Sequence, residues 1–282
     1  MSSRPRRQGP PASRTRGPVR RPAGGPGDRS SSRSRERVGV GGEQVEGRHA
    51  VMELLRAGRR SVSKVFVAEN LDPSPILDAI ELEAKRRRVP LQWVSMARLD
   101  REARTEQHQG VLAFAQRLET VTLEDLLDHP KPFLLVCDGV TDPRNLGAML
   151  RSADGAGVTG VVVPRHRSAH VSPTVAKTAA GAIEYLSFCD VGGIPTAIDH
   201  INRAGIVTVG LAGESPQSLY DLDLGSSPVA LVVGSEEKGL AALTRKRCQA
   251  VVSIPQMGKI ESLNAGVALS IAAFEVARQR RL

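Results

Sequence analysis

The chain has 282 residues, 40% hydrophobic but 3% aromatic, and carries a formal net charge of +9. That length holds one or two domains, and cores built from Val, Leu, Ile and Ala fit an α/β protein with buried parallel strands. No run approaches the ~18 apolar residues of a membrane span, and the basic N-terminus lacks the apolar stretch of a secretory signal.

The three cysteines, Cys137, Cys189 and Cys248, show no CxxC or Cys/His spacing, so they read as reduced buried hydrophobes and no metal site is expected. A soluble, cytoplasmic protein is expected. The charge is unevenly placed. Residues 1–42 hold eleven Arg against Asp28 and Glu36, the whole +9, while the remainder balances 28 basic against 28 acidic residues.

Residues 1–42 are Arg, Ser, Pro and Gly with almost no aliphatic side chains, so they cannot bury enough apolar area to offset ordering and should be disordered. Such a tail attracts phosphate backbones without sequence preference. A folded unit is expected over 43–117: a helix at His49–Arg56, a strand at Val62–Ala68, a helix at Ile76–Arg88, a strand at Leu91–Val94, a short helix at Leu99–Arg104, and a turn into a strand at His108–Ala115. Its large rings, Trp93 and Phe66, are expected in its core. Residues 118–132, with a helical pattern at Leu123–Leu127, read as a linker.

From Phe133 strands and helices alternate. Apolar runs of strand length lie at Phe133–Asp138, Gly160–Val163, Ile206–Leu211, Val229–Val233 and Ala250–Ile254. Helices are expected at Asn145–Ala156, Thr174–Gly181, Ile194–Ala204, Leu240–Arg247 and Ser262–Arg280. This predicts a mostly parallel sheet covered on both faces over 133–282, with ligands at the carboxyl ends of its strands.

Three signatures sit in or beside such loops. The first, Asn145-Leu-Gly-Ala-Met-Leu-Arg151, enters a helix, whose N-terminus favours anions. Arg151, about two turns in, either reaches a phosphate or carboxylate bidentately or makes a surface ion pair. The second, Gly234-Ser-Glu-Glu-Lys-Gly239, follows the most apolar strand and is neither a Walker A loop nor GxGxxG. Glu236 reads equally as an acid at the next helix's N-terminus or as a polar site residue. The third is Ile254-Pro-Gln-Met-Gly-Lys-Ile-Glu-Ser-Leu-Asn264, with Gly258 in the loop, Ser262 in cap position and Asn264 in the first helical turn. The scattered histidines support neither metal catalysis nor a Ser-His-Asp triad.

On these residues the chain resembles the SpoU, or TrmH-like, family of RNA ribose 2′-O-methyltransferases, nearest the RlmB type that acts on a guanosine of 23S ribosomal RNA. The likeness runs from Val45 to Leu282 and includes Glu46-Gly-Arg-His-Ala, His108-Gln-Gly, Arg167-Ser-Ala and Ala180-Gly-Ala-Ile-Glu184. It implies an N-terminal L30e-like RNA-recognition domain and a C-terminal α/β domain with a deep trefoil knot. It also implies a homodimer whose active site takes groups from both subunits.

By the same resemblance S-adenosylmethionine is the donor, held by main chain at Gly234, Ile254 and Leu263, with Gly239 and Gly258 in its loops. Arg151 is then the main catalytic residue, supported by Asn145, Glu236, Ser262 and Asn264. Arg48, His49, His108 and Gln109 are candidate RNA contacts. The chain departs from the family pattern at Gly266, where a Ser is common, and at Glu237, where a Gly is frequent. The rival readings are a tRNA or another ribosomal target, a non-catalytic RNA-binding protein, and a nucleotide-binding α/β protein, whose phosphate-loop motifs are absent.

Overall fold

The computed structural model describes residues 40–166, 169–259 and 262–281. Nearly all of the Arg-rich tail lies outside the described residues, as do Arg167 and Ser168 of the Arg167-Ser-Ala motif and Ile260 and Glu261 of the third signature.

The smaller lobe contains β1 (Gln44–Glu46), α1 (Arg48–Ala57), β2 (Val62–Ala68), α2 (Pro75–Arg86), β3 (Leu91–Val94), α3 (Met96–Glu102) and β4 (Val111–Ala115). Its sheet runs β1-β4-β2-β3, with only β2 and β3 parallel. Helix α1 buries Ala50, Val51, Leu54 and Leu55 and closes at Gly58, whose left-handed backbone (φ 59°) lets its N–H donate to Leu54 O. Alternation along β2 sends Val65 and Val67 to the α1/α2 side and Phe66 and Ala68 to the α3 side, giving two small cores. Phe66 is fully buried, as expected. Trp93 is 50% exposed on edge strand β3, not in the core, because β3 has a neighbour only in β2.

The larger lobe follows: α4 (Leu123–Leu127), β5 (Phe133–Asp138), α5 (Pro143–Gly155), β6 (Gly160–Pro164), α6 (Pro173–Thr178), β7 (Ser187–Val191), α7 (Ile194–Arg203), β8 (Val207–Leu211), β9 (Val229–Gly234), α8 (Ala242–Arg247), β10 (Ala250–Val252) and α9 (Ala265–Arg281). All strand pairs in its six-stranded sheet are parallel, in the order β10-β8-β9-β5-β6-β7. Phe133, Leu135 and Cys137 of β5 and Val229, Leu231 and Val233 of β9 face the α5/α6/α9 layer, and the alternate residues face α4 and α7. Both faces are therefore covered, which is why the strands read as continuous apolar runs.

The connections after β5 and after β9 run to opposite sides of the sheet, so the two adjacent strands flank a topological switch point. There Asp138 pairs with Gly234, bringing the first two signatures out side by side.

Residues 118–132 are packed rather than free. Val121 N–H donates to Phe188 O, and Leu126 fills the space beside Gly160, where a Cβ would lie 2.6 Å from its methyl. A buried ion pair joins the lobes. Arg60, ahead of β2, places Nε 2.9 Å from Glu184 and its Nη2 on the other carboxylate oxygen, while Nη1 donates to Gly42 O and Gln116 O. Burial pushes the Glu184 carboxyl up, and Arg60 and Arg59 recover only part of that shift.

Candidate active site

A cavity of about 600 Å³ opens beyond the carboxyl ends of β8, β9 and β10. Gly234, Gly239, Ile254 and Leu263, expected at the donor, all line it, together with Glu236 and Ser262. Gly234 is required by packing: a Cβ there would lie 2.0 Å from Gly239 C, because the 235–239 loop folds back on the strand end. That turn is closed by Ser235 N–H to Gly239 O and Gly239 N–H to Ser235 O, with Gly239 left-handed at φ 63°. Gly258 does not line the cavity, and a Cβ there would meet nothing within 4 Å.

The three signatures meet through side chains. Asn145 Nδ2 donates to Glu236 at 3.0 Å, and Asn145 Oδ1 accepts from Asn264 Nδ2 at 3.0 Å. Asn264 Oδ1 in turn accepts from the N–H groups of Gly266 and Val267, and its carbonyl accepts from Ala268 N–H. Asn264 is thus the cap of α9, which begins at Ala265. The expectation of Ser262 as the cap is corrected: a cap must sit next to the first turn, and Ser262 lies earlier, on the cavity wall. The close approach of Gly266 to Asn264 (3.1 Å from a Cβ) leaves little room for a side chain at that departure from the family pattern.

Glu236 faces the start of α5 rather than capping the following helix. It also accepts from Thr141 and Asp142 N–H, at 3.5 and 3.4 Å. Burial works against its ionisation, but the Asn145 amide and these backbone groups outweigh burial and hold the carboxyl below its ordinary value. The acid that stands at the N-terminus of α8 is Asp138, which accepts from Ala241 N–H at 2.9 Å. Gly147 serves helix packing: a Cβ would lie 2.6 Å from Thr178 Cβ of α6.

Arg151 does not line this cavity. It sits exposed on α5 and borders a separate cleft between α1 and α5 with His49, Glu53, Asp154 and Tyr185. The four candidate RNA contacts cluster in a third cleft with Leu71, Ile76 and Met96. Three of them have internal partners. Arg48 Nε donates to Gln109 O and Arg48 N–H to Gln109 Oε1, and His108 Nδ1 accepts from Gly110 N–H while Nε2 lies 2.8 Å from Asp100. Glu46, buried, accepts from Arg104 and Thr105. The Glu46-Gly-Arg-His-Ala motif therefore builds the turn and leaves His49 exposed.

Sequence reasoning missed the loop after β8, Ala212-Gly213-Glu214, and Arg245, which also line this cavity. The signal was there: the loop leaves the carboxyl end of a parallel strand. Burial raises the thiols of Cys137 and Cys189 to about 12 and that of Cys248 to about 11; the first two are buried as expected, whereas Cys248 is only partly buried at the edge of the core. Among the described residues no His/Cys/Asp/Glu group is arranged to hold a metal, and no helix is long and apolar enough to cross a membrane.

The substrate-binding model of RNA 2'-O ribose methyltransferases matches residues 44–121, and the SpoU rRNA Methylase family model matches residues 132–274. The 23S rRNA (guanosine-2'-O-)-methyltransferase RlmB of Pectobacterium atrosepticum is 40% identical over 243 residues, spanning 84% of this chain and 98% of its own. The protein of the same name from Ralstonia nicotianae is 40% identical over 237 residues, 83% and 94% of the two chains. Among solved structures, an RNA 2'-O ribose methyltransferase superposes with a TM-score of 0.72 at 29% identity, over 85% of this chain and 89% of that one. The SpoU methyltransferase AviRb from Streptomyces viridochromogenes, in complex with AdoMet, gives 0.70 at 26% identity, over 84% and 90%. Both lobes, the sheet between its helix layers and the three converging signatures are accounted for together: the chain belongs to the SpoU rRNA methylase family.

Proposed function

We propose that this protein transfers a methyl group from S-adenosylmethionine to the ribose 2′-hydroxyl of a guanosine in 23S ribosomal RNA. The observation that carries this reading is the Glu236–Asn145–Asn264 chain, which ties all three signatures together beside a glycine-walled cavity. The choice of RNA rests on the relatives at 40% identity, which match across both lobes.

The cavity suits the donor. Its volume falls in the range of small-molecule sites, Leu211, Val233, Ile254 and Leu263 offer apolar walls for an adenine ring, and the bare backbone at Gly234 lets main-chain groups approach. Gly234, Ile254 and Leu263 would hold it through main chain. Glu236, whose carboxyl is held below its ordinary value, would put negative charge on the wall of the cavity that takes the cationic donor. When bound, the donor supplies an electrophilic methyl group, and the ribose 2′-oxygen is the nucleophile. What the protein adds is alignment of the reacting atoms, the effect that makes a bimolecular displacement effectively intramolecular.

Arg151 is assigned to the ribose. A guanidinium with a pKa above ~12 is a poor proton acceptor, so its role is to clamp an adjoining phosphate and stabilise negative charge on the 2′-oxygen. Ser262 completes the donor wall. Because Arg151 lies away from its own chain's cavity, we assign it to the cavity of a second subunit in a two-fold homodimer. Exposed Val267 and Phe274 on α9, seven residues apart, offer an apolar stripe beside α5 for that contact, and a cytoplasmic location follows from the ribosomal substrate.

Labelled donor incubated with total RNA tests this reading. Methyl label should enter 23S rRNA with wild-type protein and not with Arg151→Ala. Mixing inactive Arg151→Ala and Gly234→Val subunits should restore activity if one site draws on two chains. No label in any RNA would dismiss the enzyme reading, and label confined to tRNA would move the target.

A further inference from the structure

The cleft that holds Arg151 is lined by side chains from both lobes. It measures about 490 Å³. From α1 come His49 and Glu53, from α5 Arg151 and Asp154, and from the segment before β7 comes Tyr185. Alanines 179, 180 and 182 keep its floor shallow.

The turn that forms this floor is held against α1. Ala180 and Gly181 both have positive φ (50° and 91°), and a Cβ on Gly181 would lie 2.4 Å from Glu53 Cβ. Tyr185 Oη donates to Glu53 Oε2 at 2.6 Å, fixing a ring that is nonetheless 47% exposed.

Glu53 is already engaged, its Oε1 with Arg56 Nη1 at 2.9 Å and its Oε2 with Tyr185, but the two charges from α5 are not matched. Arg151 and Asp154 are spaced i,i+3 on one helix, where an ion pair forms readily, yet among the described residues neither side chain has a hydrogen-bond or salt-bridge partner. Partial burial, then the nearby charge of Glu53, raises the Asp154 carboxyl. The cleft thus presents two carboxylates, acceptor-only groups when ionised, beside one rigid half-exposed aromatic face.

We infer that this cleft receives the target base itself, with Asp154 and Glu53 accepting from the donor edge of guanine and Tyr185 stacking on its face. Guanine carries adjacent N1–H and 2-amino donors on its Watson–Crick edge, whereas adenine has an acceptor at N1 and no 2-amino group. Carboxylates at that edge select guanine and leave adenine with facing lone pairs. Unpaired bases are commonly recognised by stacking plus edge hydrogen bonds. The cleft also adjoins Arg151, so base and ribose of one nucleotide reach their partners together. This inference rests on the methyltransferase reading above and on Arg151 serving the ribose.

The test is kcat/KM on 23S rRNA transcripts carrying guanosine or inosine at the methylated position, since inosine keeps N1–H but lacks the 2-amino group. Wild-type protein should lose at least about tenfold on inosine. Asp154→Asn and Glu53→Gln should fall at least about tenfold on guanosine, with the guanosine-to-inosine ratio collapsing toward one and donor affinity by calorimetry unchanged. Among the described residues the Asp154 side chain has no hydrogen-bond or salt-bridge partner to lose, so Asp154→Asn tests recognition rather than folding. Variants that keep the wild-type ratio overturn the inference, as does a wild-type ratio near one. A wild-type protein that binds donor but methylates no 23S transcript overturns the proposed function instead.

Discussion

Asn145 donates its side-chain amide to Glu236 at 3.0 Å, although the two residues leave different strands 91 positions apart. The same amide accepts from Asn264, so one side chain joins the loop after β5, the loop after β9 and the start of α9. Its position ties the glycine-walled cavity to the helix that carries Arg151. A carboxylate cannot replace it, because a second negative charge would face Glu236.

Asn145→Ala should therefore lower kcat by about 10- to 100-fold, the range for losing a hydrogen bond to a charged group. Asn145→Asp should be at least as damaging. Single-turnover methyl transfer with donor affinity measured in parallel checks this; kcat within twofold of wild type for Asn145→Asp would rule out the bridging role.

Gly234 and Gly258 make opposite forecasts from the same residue type. Gly234→Ala drives a Cβ into Gly239 and should weaken donor binding by more than about tenfold, as overpacking forces the loop to shift. Gly258→Ala meets open space and should leave binding unchanged. Calorimetry with S-adenosylmethionine distinguishes the pair.

The lobe junction depends on Arg60. Arg60→Met leaves Glu184 buried without its partner and should cost about 3–5 kcal/mol in chemical denaturation. The double change Arg60→Met, Glu184→Leu should recover most of that loss, because an apolar pair replaces a desolvated ionic one. Arg56→Ala, which breaks an exposed pair with Glu53, should move stability by less than about 1 kcal/mol.

Acid should act through Glu236. Its folded pKa lies below the ordinary 4.5, so its contribution is present above that value and is lost as pH falls through the lowered folded value. Donor affinity should hold from neutrality to near pH 4.5 and decline below it. Asn145→Ala removes one cause of the lowering and should shift the decline to higher pH. A decline at the same pH in both proteins would exclude Glu236 as the titrating group.

Much of this architecture is legible in the chain. Continuous apolar runs mark β5 and β9, because parallel strands covered on both faces need no polar alternation. The strands β1 and β7 are not legible: Gln44–Glu46 is short and polar, and Ser187–Val191 carries Asp190 among its residues, so pairing partners decide both. The cap at Asn264 was masked by Ser262, which has equal intrinsic preference. That Glu236 faces α5 rather than α8 depends on β5 and β9 being neighbours in the sheet, a long-range fact that local spacing does not contain. Trp93 looked like a core residue by type and is exposed by position, on an edge strand.

The most direct test of the central claim is a map of ribose 2′-O-methylation across 23S rRNA and tRNA, compared between cells with the gene and cells without it. A further strain should carry Arg151→Ala. The account predicts that a single 23S guanosine loses its methyl group in both mutant strains, with the tRNA map unchanged. An identical 23S map in all three strains would contradict it.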